Sequence, residues 1–112
     1  MSLSLSLFLS PSIHSIDQTL IGAIQRYYRR ALVYINDSKW EKAEKDLDKA
    51  IELTQTEYGT YYNYRGITHY RRQNWEPAIS DFAHAIKCNP ETSLYWLNRG
   101  YGYVVVHLVC RL

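Results

Sequence analysis

Residues 61–90 read YYNYRGITHYRRQNWEPAISDFAHAIKCNP, and two helices can be written onto them directly. Tyr62, Gly66, His69 and Tyr70 recur at three- and four-residue spacing, then Trp75, Ala78, Ile79, Phe82, Ala85 and Ile86 do the same. That is the period of an amphipathic helix with one buried stripe. Between the two runs, Arg71-Arg72-Gln73-Asn74 is short and polar, which predicts a helix–helix turn. Asn74 is a suitable N-cap. Pro77 falls in the first helical turn, where its missing N–H is harmless. Asn89-Pro90 ends the second run, because proline cannot continue a helix and restrains the residue before it.

Working outward, the same text recurs upstream. Trp40 and Trp75 stand 35 positions apart, and so do Ala43 and Ala78, Leu47 and Phe82, Ala50 and Ala85, and Ile51 and Ile86. The preceding helices repeat as well. Tyr27, Tyr62 and Trp96 share one slot; Arg30, Arg65 and Arg99 a second; Ala31, Gly66 and Gly100 a third; Tyr34, His69 and Tyr103 a fourth, at offsets of 35 and then 34. The one-residue difference falls in the segment 54–59, a loop where an insertion costs little. Ser38 and Glu41 have the spacing of a capping box for the upstream second helix, and Ser15 and Gln18 the same for the first. Small residues at 31, 66 and 100, and alanines at 43, 50, 78 and 85, let helices approach closely while the rings fill the spaces between them.

A fixed period of this length is the signature of a repeat array. With its aromatic, Gly, aromatic, Ala, Phe, Ala and terminal Pro slots at Tyr62, Gly66, His69 or Tyr70, Ala78, Phe82, Ala85 and Pro90, the stretch resembles a tetratricopeptide repeat. The unit from Tyr27 to about Leu53 is similar, with Ala31 for Gly, Leu47 for Phe and no terminal Pro. A third unit begins at Trp96 and breaks off after Tyr103. The resemblance spans about residues 24–105. It implies an all-α fold: antiparallel helix-turn-helix repeats stacked as a right-handed solenoid of about two and a half repeats. Residues 1–14 are expected as a disordered or loosely docked leader and 15–112 as the repeat domain, with units at about 24–57, 58–91 and, in part, 92–112.

The two ends stand apart from this pattern. Residues 1–10 alternate Ser and Leu, which looks like the apolar part of a secretory signal, but Arg26 is the first Lys or Arg and no A-x-A-like cleavage site follows. Residues 104–112, VVVHLVCRL, are apolar nearly all round, whereas a terminal repeat needs a polar outer face. A truncated piece of a longer repeat protein is the favoured reading. The alternative is a tail that docks on the second unit or pairs with another copy, and an exposed patch there predicts self-association. No apolar run reaches the length of about 18 residues that a membrane span needs.

Composition narrows the function classes. The net charge is +2, too weak to argue for nucleic acid without a concentrated basic face. The two cysteines, Cys88 and Cys110, are far apart, with no CxxC and no His at zinc-site spacing, so inert thiols in a reducing, cytoplasmic setting are expected. His14, His69, His84 and His107 do not form a metal pattern with one another or with carboxylates, and His69 occupies a ring slot of the repeat. Glu41, Glu44, Asp46, Asp48 and Glu52 interleave with lysines and read as a solvated helix face. No phosphate-cradling loop or nucleophile motif is present. No enzyme activity, cofactor or metal is expected.

Binding is the remaining class. The resemblance implies that first helices line a concave groove holding a partner segment. The stripe one position along from the packed layer contains Tyr28, Leu32 and Ile35, then Asn63, Ile67 and Tyr70, then Leu97, Tyr101 and Val104. Tyr28, Leu32, Asn63, Ile67, Tyr70, Arg71, Leu97 and Asn98 are the candidate groove residues. Asn63 would clasp a peptide amide with both ends of its own amide, Tyr70 would offer a ring and a hydroxyl, and Arg71 charge at the rim. A subset of the family grips acidic chaperone C-termini with Lys and Asn; here those slots hold Tyr28 and Leu32, so that clamp is not supported. The expected partner is a peptide segment of another protein. The alternatives are a single-stranded nucleic-acid surface built on arginines and tyrosines, or a fragment of a longer repeat protein with its activity elsewhere.

Overall fold

The structure is a computed structural model. It describes the backbone of residues 2–54 and 57–111 and the side chains of residues 18–54 and 57–110. All regular structure among these residues is helical: α1 (Ser2–Asn36), α2 (Trp40–Leu53), α3 (Gly59–Arg71), α4 (Trp75–Cys88) and α5 (Ser93–Arg111). Each helix packs on the next, and α3 also touches α5.

The hairpins are antiparallel, as the cross-contacts require. Lys42 lies over the Tyr34 ring and Asp46 binds Arg30, so moving back along α1 from the turn means moving forward along α2. In the second hairpin Tyr70 meets Trp75, Arg65 meets Asp81 and Tyr62 meets His84 in the same sense. The core between the helices is built from small residues and a few large ones. Ala31, Ala43, Leu47, Ala50, Ala78 and Ala85 have no exposed surface, and Phe82 is 2% exposed. Gly66 is required by this closeness: a Cβ there would stand 2.6 Å from Phe82 Cε1.

Both turns use one device, and in the first it replaces the capping box expected at Ser38 and Glu41. Ser38 and Gln73, 35 positions apart, have φ of 58° and 65°. The Lys39 N–H donates to the Tyr34 carbonyl and that of Ser38 to Ile35; the Asn74 N–H donates to His69 and that of Gln73 to Tyr70. This is a Schellman closure, in which a left-handed residue turns the chain back so that the last carbonyls are satisfied. Ser38 therefore ends α1 rather than starting α2. Lys39 and Asn74 hold the N-cap positions of α2 and α4, neither with a side-chain cap bond.

The backbone is helical from Ser2, in one element with residues 15–36. A helix already nucleated downstream extends at the cost of one residue at a time, and this one runs through Pro11, which removes one N–H from its hydrogen-bond ladder. For the same reason Ser15 is not a cap. At the other end, residues 104–111 continue α5 without a break. A Cβ at Gly102 would lie 2.8 Å from Ile79 Cγ1, so the middle of α5 sits tightly on α4.

Candidate partner-binding face

The arginines of the repeated slot are the clearest polar feature. Arg30 donates Nε and Nη2 to the two carboxylate oxygens of Asp46, each at 2.7 Å. Arg65 does the same to Asp81 at 2.8 Å and gives Nη1 to Asp48 at 3.0 Å. These bidentate forks join the first and second helix of each hairpin. The hydrogen bond to the carboxylate pushes each guanidinium further above its usual range. Asp46 is 5% exposed and Asp81 6%, which overturns the reading of Asp46 as part of a solvated face. Glu44 is likewise half-buried, paired with Arg72 and 3.5 Å from His69 Nε2. His69 is packed inside the second hairpin, its Nδ1 buried without a hydrogen-bond partner.

Each arginine also rests on rings one turn away. Arg30 lies 5.7 Å from the Tyr27 centroid and 5.9 Å from Tyr34; Arg65 lies 5.4 Å from Tyr62; Arg99 lies 4.8 Å from Trp96 and 5.9 Å from Tyr103. Rings and cation thus form one pre-set unit on α1, α3 and α5.

Of the predicted groove residues, Tyr28, Leu32, Ile67, Tyr70 and Asn98 are half-buried, Leu97 and Arg71 exposed, and Asn63 buried. The structure brings some of them together. Asn98 donates Nδ2 to Asn63 Oδ1 at 2.8 Å across the junction of the second and third units. At the equivalent junction between the first and second units, Tyr28 packs against Tyr61 and Tyr64, centroids 5.1 and 5.8 Å apart. Burial first, then Tyr64, pushes the Tyr28 hydroxyl up to about 12. Asn63 is therefore not open at both ends, as expected from its sequence position: its Oδ1 belongs to Asn98. Tyr70 keeps its ring edge-on to Trp75, and Arg71 extends over Trp40, so both lean toward the hairpin turns.

Two clusters lie outside the predicted set. A cavity of about 630 Å³ between α1 and α2 is lined by Ala23, Arg26, Tyr27, Arg29, Arg30, Lys49 and Leu53. It gathers the basic residues of α1 into one place. Elsewhere, ligand atoms of Glu57, His84 and Cys88 lie within 4.8 Å of one another. His84 and Cys88 share one face of α4 at a four-residue spacing, and the loop brings Glu57 to them, contrary to the expected absence of a His–carboxylate or His–Cys grouping. His84 Nε2 is 3.2 Å from Glu57 Oε1 but off hydrogen-bond geometry, and its ring stacks on Tyr62 at 3.9 Å. Burial, then Glu57, pushes the Cys88 thiol up. That favours the protonated thiol, whereas a soft metal needs the thiolate.

Among the described residues, no helix is long and apolar enough to cross a membrane. No protein-family model matches the chain, and no curated protein matches it either.

Proposed function

We propose that this chain is a tetratricopeptide-like scaffold, its hairpins stacked as a right-handed solenoid, that binds a segment of another protein on the shared face of α1, α3 and α5. The observation that carries the reading is the row of apolar and ring side chains left half-exposed or exposed on those helices: Tyr28, Leu32, Ile67, Tyr70 and Leu97. Such anchors along parallel helices suit an extended or helical peptide. The second helices have their small residues spent on packing, and the polar clasps are spent on joining helices. The role is binding rather than catalysis.

Arg26 and Arg29 in the α1–α2 cavity favour acidic residues in the partner. The same cavity supports the second reading, a single-stranded nucleic-acid surface, since Tyr27 beside Arg26 and Arg29 is a stacking group among cations. Salt separates the two. Phosphate contacts release counterions, so affinity for an oligonucleotide falls by orders of magnitude between low and moderate salt. The experiment is selection of peptides on the intact chain, followed by titration at two salt concentrations. Expected are peptides with two apolar anchors, binding that changes little with salt, and a loss of about tenfold or more for Leu97→Asp. Equal binding by Leu97→Asp, or preferential capture of oligothymidylate, contradicts the peptide-groove reading.

A further inference from the structure

The three first helices present the same slot, and in two of them the structure records what fills it. Ala31 of α1 is fully buried under α2, and Gly66 of α3 lies under α4 with Phe82 against it. Gly100 of α5 is exposed, and a Cβ there would meet nothing within 4 Å. On either side of it Trp96 is 46% and Tyr103 55% exposed. The charge tells the same story. Arg30 and Arg65 each hold a buried aspartate, whereas Arg99, poised between Trp96 and Tyr103 as Arg30 is between Tyr27 and Tyr34, has no carboxylate among the described residues.

The helices that fill the two occupied slots share one pattern. α2 offers Ala43, Asp46, Leu47 and Ala50; α4 offers Ala78, Asp81, Phe82 and Ala85. The alanines permit close approach, the large apolar residue covers the small position of the first helix, and the aspartate takes the arginine. We propose that the Trp96–Gly100–Tyr103 face of α5 docks a helix of a partner polypeptide bearing Ala-x-x-Asp-(Leu or Phe)-x-x-Ala, with its aspartate on Arg99 and its large apolar side chain over Gly100. Complementary charge fixes the register, because only one rotation of such a helix brings both groups to their places. This face is distinct from the stripe of Leu97, so the inference does not rest on the groove reading.

The test uses the full chain and a fluorescent peptide of residues 74–89 carrying Cys88→Ser, which contains the pattern. Anisotropy should show saturable binding, weakened about tenfold by Asp81→Asn in the peptide and at least tenfold by Gly100→Leu in the chain. Gly100→Leu adds a good helix former in open space, so circular dichroism should show unchanged or increased helicity. Leu97→Asp should leave this binding within about threefold of the original. Lack of binding to the unaltered chain overturns the proposal. So does binding that survives Gly100→Leu, which would mean that the peptide displaces α4. So does self-association of the chain that Gly100→Leu abolishes, which would make a second copy the occupant.

Discussion

α3 and α5 are two versions of one helix, and the contrast between them shows how much of a repeat's character is conferred by its neighbours. α3 carries Tyr62, Arg65, Gly66 and His69; α5 carries Trp96, Arg99, Gly100 and Tyr103 at the same positions. In α3 the glycine is buried against Phe82, the arginine is locked by two aspartates and the ring-slot histidine is 13% exposed in its side chain. In α5 the glycine is bare, the arginine has only rings, and eight of the large hydrophobics in the helix are exposed: Leu94, Trp96, Leu97, Tyr101, Tyr103, Val104, Leu108 and Val109. An arginine or a glycine in this slot is a packing residue when a second helix lies over it, and stays open when none does.

The comparison can be broken most forcefully at the clasp. Asp81→Ala leaves Arg65, only 23% exposed in its side chain, with Asp48 alone. The loss should be about 2 to 3 kcal/mol, below the usual figure for a fully stranded buried charge because Asp48 remains. Urea unfolding followed by circular dichroism checks it, and a loss near zero would mean that the fork does not hold the hairpin. Asp46→Ala should cost less, since Arg30 is open to solvent.

The glycine slot gives the sharper contrast, because one substitution should have opposite signs at two equivalent positions. Gly66→Ala forces a Cβ to within 2.6 Å of a buried ring and should destabilise by about 1 to 3 kcal/mol. Gly100→Ala meets nothing and should stabilise by up to about 1 kcal/mol through helix propensity. Equal effects at the two sites in thermal melts would erase the distinction between covered and open helices.

The two inter-unit junctions supply a pH test. Because burial raises the Tyr28 hydroxyl from 10.0 to about 12, the folded state prefers the protonated phenol. Its contribution to stability is complete below pH 10 and is lost as pH rises from 10 to 12. Absorbance of tyrosinate should therefore rise late for one part of the tyrosine population, which also includes Tyr61 and Tyr62, and Tyr28→Phe should reduce that late component. The amide junction, Asn98 on Asn63, has no such titration, so an unchanged profile in Tyr28→Phe would misplace the ring junction.

The smallest effects belong to the turns. Ser38→Gly and Gln73→Gly relieve left-handed backbone at φ 58° and 65° and should each stabilise by roughly 0.5 to 1 kcal/mol. Matching gains at the two sites, read from melts, would support one turn geometry repeated after 35 residues.

The period made the hairpins readable. Alanines, rings and arginines at constant offsets can be compared by eye, and the all-helical fold follows from them. The aspartates were harder. Asp46 sits among lysines and glutamates in the text of α2, where a buried carboxylate and an exposed one look alike; the available signal was that Asp46 and Asp81 share the 35-residue offset and follow their arginines by sixteen positions. The second turn was placed correctly at residues 71–74, but Ser38 was misread as a cap because it occupies a place where glycine is the usual marker. The Glu57–His84–Cys88 trio joins a loop to α4 across 27 positions, and only the folded chain closes that distance. For the proposed binding face, spacing can place a stripe on α1, α3 and α5, but the Asn63–Asn98 bond depends on the angle between units, which spacing does not encode.

The most direct test of the covered and open helices is hydrogen–deuterium exchange on the intact chain, resolved by peptide, at low protein concentration. The amides of α3 and α4 should exchange slowest, and those of α5 beyond Tyr103 should exchange much faster, because local opening there uncovers little buried surface. Protection of residues 104–110 equal to that of α3 would contradict the account, since it would mean that the face described as open is covered in solution.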